Sequence, residues 1–207
     1  MLRVKIAVLV SGGGTNLQAL LDAQDSGILT DGEIALVVSN NPNAYALERA
    51  RLRGVPTRVL SKEEAPTQQA FETALQQLLE QTGVELIVLA GFMRILSAAF
   101  TARWPRRILN VHPALIPSFC GQGFYGLKVH EAALAKGVKV TGATVHFVNE
   151  IPDGGEIIAQ KAVPVRKYDT PERLQRRVME QAEWKLLPRA VQQVCREIRK
   201  TRRDAVE

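Results

Sequence analysis

Three groups of residues in the sequence carry side chains and backbone suited to chemistry. Asn110-Val111-His112-Pro113 closes an apolar run. In extended chain Asn110 and His112 point the same way, so an amide donor and an imidazole face one substrate. His146 and Asp153 form the second group, with Asp153 inside Pro152-Asp153-Gly154-Gly155. A carboxylate on a Gly-Gly loop is easily aimed into a cleft, although Asp-Gly is also an ordinary turn. The third group is Ser11-Gly12-Gly13-Gly14-Thr15-Asn16, where glycines admit close approach of backbone to a ligand and a following helix offers free N–H groups. It is not a nucleoside-triphosphate loop, since no Gly-Lys-Ser/Thr follows, and it makes a poor dinucleotide fingerprint. A tight turn without a ligand and a site for a small phosphorylated metabolite both fit it. Singly, each group has a structural explanation, and the functional reading rests on their joint occurrence.

The elements that must position these groups follow from periodicity. Apolar runs alternate with helix-period segments, which predicts an α/β fold: a single Rossmann-like domain over 1–207, with a mostly parallel twisted sheet flanked by helices. Val4–Val10, Ile34–Val38, Pro56–Leu60, Val84–Ala90 and Arg107–His112 read as strands, with Val84–Ala90 central. Ala143–Val148 and Ile157–Val165 are two more, joined by Glu150–Gly155. Helices are expected from Leu17, over Ala44–Arg53 and Thr67–Gln81, and near Val129–Lys136. A last helix starts at Thr170-Pro171-Glu172, with Thr as cap and Pro in the first turn, and runs to about Lys200.

Composition narrows the function classes. The chain has 207 residues, 46% hydrophobic and 23% charged, the balance of a globular protein. Its formal charge of +6 invites a nucleic-acid reading. Counting along the chain, residues 1–160 hold 14 Lys/Arg against 14 Asp/Glu, and residues 161–207 hold 13 against 7, so the whole excess lies in the tail. That tail interleaves Glu172, Glu180, Glu183 and Glu197 and lacks an aromatic stacking platform, which favours a solvated amphipathic helix over a nucleic-acid module. The longest apolar run, Leu86–Met93, is far short of the ~20 residues of a membrane helix. Two cysteines, Cys120 and Cys195, give neither a disulfide framework nor a metal-ligand pair. A cytoplasmic protein without metal, nucleic-acid or membrane partners is expected, as monomer or homodimer.

The groups in combination resemble a known family. Leu89-Ala90-Gly91-Phe92-Met93-Arg94-Ile95-Leu96-Ser97, Asn110 through Pro117, and Gly142 through Val148 with Asp153-Gly154-Gly155 resemble the phosphoribosylglycinamide formyltransferases of purine synthesis, within the folate-dependent formyltransferase superfamily. The resemblance implies that the formyl group of 10-formyltetrahydrofolate, a co-substrate, passes to the amino group of glycinamide ribonucleotide. It implies catalysis by Asn110, His112 and Asp153, with Thr144 and His146 in support and Asp153 charging the imidazole. Gly14, Thr15 and Asn16 match the phosphoribosyl loop, and Glu183 matches an acidic contact to the glycinamide or ribose. Leu89, Met93, Arg94, Ile95, Leu96 and Asn110 match one side of the folate pocket, and Asn149, Glu150, Ile151, Pro152 and Asp153 the other.

Departures from the family pattern are local. Gln68 stands near where the family commonly has an Arg for the folate tail, with Arg94 as a substitute, and Trp184 stands where a His is usual. The loop Ser118–Gly126 is longer than the family's short form, and its position after His112 suggests a lid over phosphate or folate. Among relatives, formyltetrahydrofolate deformylase, with water as acceptor, is the nearest alternative. It usually carries an extra N-terminal domain, and methionyl-tRNA formyltransferase a C-terminal one, for which 207 residues leave no room. A non-catalytic phosphate-binding protein is the last alternative.

Overall fold

Strand β1 (Val4–Val10) is apolar at almost every position, as a strand covered on both faces must be. A computed structural model describes residues 2–204 and places β1 beside β4 (Leu86–Leu89), whose four residues are all buried. Around this pair lie β2 (Gly32–Ser39), β3 (Thr57–Val59), β5 (Ile108–His112), β6 (Val140–Phe147) and β7 (Ile157–Pro164). The sheet runs β3-β2-β1-β4-β5-β6-β7, so β4 is central. The first five strands pair in parallel, and β5–β6 and β6–β7 are antiparallel. Strand order reverses between β1 and β4, the crevice where open α/β sheets bind ligands.

Helices α1 (Thr15–Asp25), α2 (Tyr45–Leu52), α3 (Gln68–Thr82), α4 (Ala98–Thr101), α5 (Leu127–Lys136), α6 (Pro171–Val178) and α7 (Trp184–Asp204) complete the chain. Two buried clusters lie on the sheet, one including Val8, Leu20 and Val191 and the other Leu9, Phe71 and Leu75. Thr67 and Thr170 cap their helices by accepting from the N–H groups of Ala70 and Arg173. No helix among the described residues is long and apolar enough to cross a membrane.

The structure departs from the sequence reading in several places, including β6, which begins at Val140 rather than Ala143. Helix α1 begins at Thr15 rather than Leu17, because Gly14 at φ 71° turns the chain and Gln18 N–H already donates to Gly14 O. The C-terminal helix is interrupted by a π-helical turn, Met179–Glu183, between α6 and α7. Helix α4, capped by Ser97, is one turn whose four residues are too few to show a period.

Candidate functional site

The site is assembled where β1, β4 and β5 end. Antiparallel pairing sets Asn110 opposite His146 and His112 opposite Thr144, so these four side chains occupy one patch of the sheet. Asp153 reaches them from the β6–β7 loop. Its φ of 55° is left-handed, and the chain escapes through Gly155, where a Cβ would stand 1.7 Å from Phe147 O. The strained aspartate conformation is therefore imposed by packing of the loop on β6.

The result is a close polar cluster. His112 Nδ1 lies 3.4 Å from Asp153 Oδ2, and His146 Nε2 lies 3.5 Å from Asp153 Oδ1. Asn110 Nδ2 is 3.2 Å from His146 Nε2 and 3.4 Å from Asp153 Oδ1. His146 Nδ1 donates to Phe147 O at 2.8 Å, leaving Nε2 turned toward the cluster. Thr144 donates from Oγ1 to Ala114 O (2.7 Å) and accepts from Ile116 N–H and Gln160, fastening the chain beyond Pro113 to the strand.

The long loop closes on this cluster through its backbone. His112 Nε2 donates to Phe119 O at 2.8 Å, and Gly121 N–H donates to Asp153 Oδ2 at 2.9 Å. Phe119 holds a φ of 51° to do so.

Asp153 favours the His112 cation, in the direction expected, but it does not set the net pKa. Burial lowers the His112 pKa, and the opposing pull of Asp153 and the Phe119 carbonyl does not restore it. Burial acts upward on the Asp153 carboxyl, but His146, the Gly121 amide and His112 outweigh it and hold the group below the usual carboxylate range. Near neutral pH the arrangement is an anionic carboxylate beside an imidazole that is neutral for most of the time.

A cavity of about 670 Å³ opens in front of the cluster, of the size that takes a small-molecule ligand. Every residue assigned to the folate pocket lines it: Leu89, Met93, Arg94, Ile95, Leu96, Asn110, Asn149, Glu150, Ile151, Pro152 and Asp153. Met93, Ile95 and Ile151 are more than half exposed, apolar side chains held open at its rim. Arg94 lies over the Phe71 ring at 4.1 Å and donates to Gln68 Oε1, so the two residues proposed in place of the tail-binding Arg sit together.

The glycine loop is divided. Asn16 lines the main cavity and donates to Glu183 Oε2 at 2.7 Å, while its own Oδ1 is buried without a protein partner. Glu183, on the π turn, is 6% exposed, and burial raises its pKa against the pull of Asn16. Thr15 instead edges a second hollow of about 490 Å³ with Arg49, Trp184, Lys185 and Arg189. Gly14 packs on Ala46, which a Cβ there would approach to 2.5 Å. Carbonyls of Gly12 and Gly13 are taken by Ala46 N–H and Arg49 Nε. Asn40, where an acidic ribose contact would stand in a dinucleotide fold, accepts from Ser11 Oγ at 2.6 Å.

Sequence reasoning missed His130 of α5, which lines the same cavity and is fully buried. All three histidines of the chain line this cavity, but no motif in the sequence singles out His130. No group of His, Cys, Asp and Glu suited to a metal ion occurs among the described residues.

Residues 4–191 match the family model described as formyl transferase. The chain belongs to the formyl transferase family. Within it, the chain is 40% identical over 205 residues to the chloroplastic phosphoribosylglycinamide formyltransferase of Arabidopsis thaliana, covering 99% of this chain and 70% of that protein. It is 47% identical over 193 residues to the trifunctional purine biosynthetic protein adenosine-3 of Gallus gallus, covering 93% of this chain but 18% of that protein. Among solved structures it is similar to glycinamide ribonucleotide transformylase 1 from Symbiobacterium toebii, with a TM-score of 0.87, 42% identity and coverage of 94% and 89%. The corresponding enzyme from Geobacillus kaustophilus gives a TM-score of 0.86 and 34% identity, covering 94% of this chain and 100% of that one.

Proposed function

We propose that the chain transfers the formyl group of 10-formyltetrahydrofolate to the amino group of glycinamide ribonucleotide. The observation that carries this reading is the Asn110–His112–His146–Asp153 cluster at one wall of a cavity lined by every residue assigned to folate. The names borne by its relatives and structural neighbours support it.

The amine nitrogen attacks the formyl carbon, and negative charge gathers on the formyl oxygen. Asn110 supplies an N–H group to that oxygen, in a setting where burial strengthens the hydrogen bond. The carbon–nitrogen bond to the folate then breaks, and a proton moves from the attacking nitrogen to the leaving nitrogen. His112 is the group able to accept and return it, and Asp153 holds the ring and stabilises its cation. Because His112 Nε2 already donates to Phe119 O, the 118–126 loop exchanges this contact when substrate arrives. Asn16 and the N-terminus of α1 meet the phosphoribosyl end, and Glu183 the glycinamide or ribose. Arg94 with Gln68 meets the folate tail. The protein acts as monomer or homodimer in the cytoplasm, without a metal.

Mixing the protein with both substrates tests this. Tetrahydrofolate should appear only when glycinamide ribonucleotide is present. Its release from formyltetrahydrofolate alone would instead make the protein a deformylase.

A further inference from the structure

Two of the three cavity histidines are accounted for by their partners, and the third is not. His112 and His146 each bond a backbone carbonyl and approach Asp153. His130 lies on the buried face of α5 with Val129 and Ala133, is 0% exposed, and neither ring nitrogen has a hydrogen-bond partner among the described residues. A buried imidazole with both nitrogens unsatisfied destabilises a fold, and an apolar side chain of similar size would fill the space without that cost.

Its surroundings say what would satisfy it. Helix α5 packs on α6, and His130 shares the cavity wall with Gln175 of α6, Met179 and Glu183 of the π turn, and Asn16 of α1. These elements are separate from the β4–α4 and β6–β7 segments that line the folate side. His112, on the same cavity wall, opposes protonation of the His130 ring. It therefore stands beside the reacting centre, on the side formed by the residues assigned to the amine substrate.

We propose that His130 binds the amine-bearing end of the ribonucleotide: its ring, covered in the unliganded protein, is reached when the adjoining 118–126 loop exchanges its contacts, and its unprotonated ring nitrogen then accepts an N–H from the attacking amino group. This rests on the formyl-transfer reading above. An amine that donates one N–H to a fixed acceptor has its lone pair directed elsewhere, and a fixed acceptor beside the cluster turns that lone pair toward the formyl carbon. The acceptor must be uncharged, since an imidazolium would have no lone pair and would repel an amine still carrying its proton. Burial, with His112 adding to it, pushes the His130 pKa down to about 4, so the ring is neutral at working pH. Such a weak base does not hold the transferred proton, and its part is orientation.

The test uses His130→Phe and His130→Gln in the full chain. Ribonucleotide and folate affinities are measured separately by calorimetry, alongside KM, kcat and Tm. His130→Phe should keep or raise Tm and leave folate affinity within twofold, while weakening ribonucleotide binding and raising its KM at least tenfold. His130→Gln, which retains an acceptor, should recover most of that loss. Wild-type-like ribonucleotide affinity in His130→Phe would overturn the inference, as would a drop in Tm with equal loss of both ligands, which marks a structural residue. If the unaltered protein binds folate but no ribonucleotide, the formyl-transfer reading itself falls and takes the inference with it.

Discussion

The two halves of the sheet do different work. Strands β1 to β4 are parallel, with β1, β2 and β4 largely buried, and they offer the cavity little beyond their C-terminal ends and loops. From β5 to β7 the pairing is antiparallel, and there the strands offer side chains in register: Asn110 against His146, His112 against Thr144, with Asp153 on the connecting loop. Parallel pairing with helical crossovers covers both faces of a strand, so only strand ends reach a ligand. An antiparallel ladder leaves one patch of face available, and its register fixes distances between side chains far apart in sequence. Backbone groups suited to binding lie in the first half, and the groups suited to moving charge lie in the second.

That contrast can be broken most directly at Asp153. Asp153→Asn keeps the loop shape but removes the charge that holds and stabilises His112, and turnover should fall roughly a thousandfold, equivalent to about 4 kcal/mol of barrier. Unchanged Tm with that loss supports the division, and near-normal activity removes Asp153 from the chemistry. Gly155→Ala forces a Cβ onto Phe147 O and should cost about 3–4 kcal/mol in denaturant unfolding, with hydrogen exchange rising first in β6 and β7.

Acid should separate the halves next. The depressed His130 pKa means that the unfolded chain binds a proton between about pH 6.5 and 4 that the native chain does not, so stability falls as pH falls through that window. The contribution is about 3 kcal/mol, at 1.36 kcal/mol per unit. His112 acts in the same direction, and the lowered Asp153 carboxyl adds a loss below the usual carboxylate range. Stability curves against pH should therefore be flatter for His130→Phe than for the unaltered protein, and acid-induced exchange should begin in β5–β7 rather than β1–β2. Smallest of all, Gly13→Ala meets nothing within 4 Å and should shift stability by less than about 0.5 kcal/mol, its effect confined to ribonucleotide affinity.

The same division governs what the sequence discloses. Val4–Val10 could be read to the residue because a strand buried on both faces is apolar at nearly every position, Lys5 apart. The spacing of Asn110 and His112, with Asp153 on its Gly-Gly loop, is local and was equally legible. His130 was not, because its meaning comes from α5 packing on α6 at the cavity wall, and nothing near it in sequence marks it. The lowered His112 pKa was hidden for a related reason. A neighbouring carboxylate shows in the motif, whereas burial depends on the Phe119 loop and the rest of the fold. The π turn at Met179–Glu183 likewise leaves the apolar pattern of the helix nearly unchanged while re-aiming Glu183 at Asn16.

The carbonyl of Phe119 and the N–H of Gly121 occupy His112 and Asp153 with one acceptor and one donor, two residues apart on the same stretch of chain. A formamide meeting an amine presents the same pair of groups. If the proposed transfer takes place here, the protein carries in its own backbone a stand-in for the reacting centre, and a ligand gains only the difference between its hydrogen bonds and those it replaces. On the proposed reading, affinity on this wall is spent on discrimination: a molecule too poor in donors or acceptors to outcompete the loop leaves its two contacts in place.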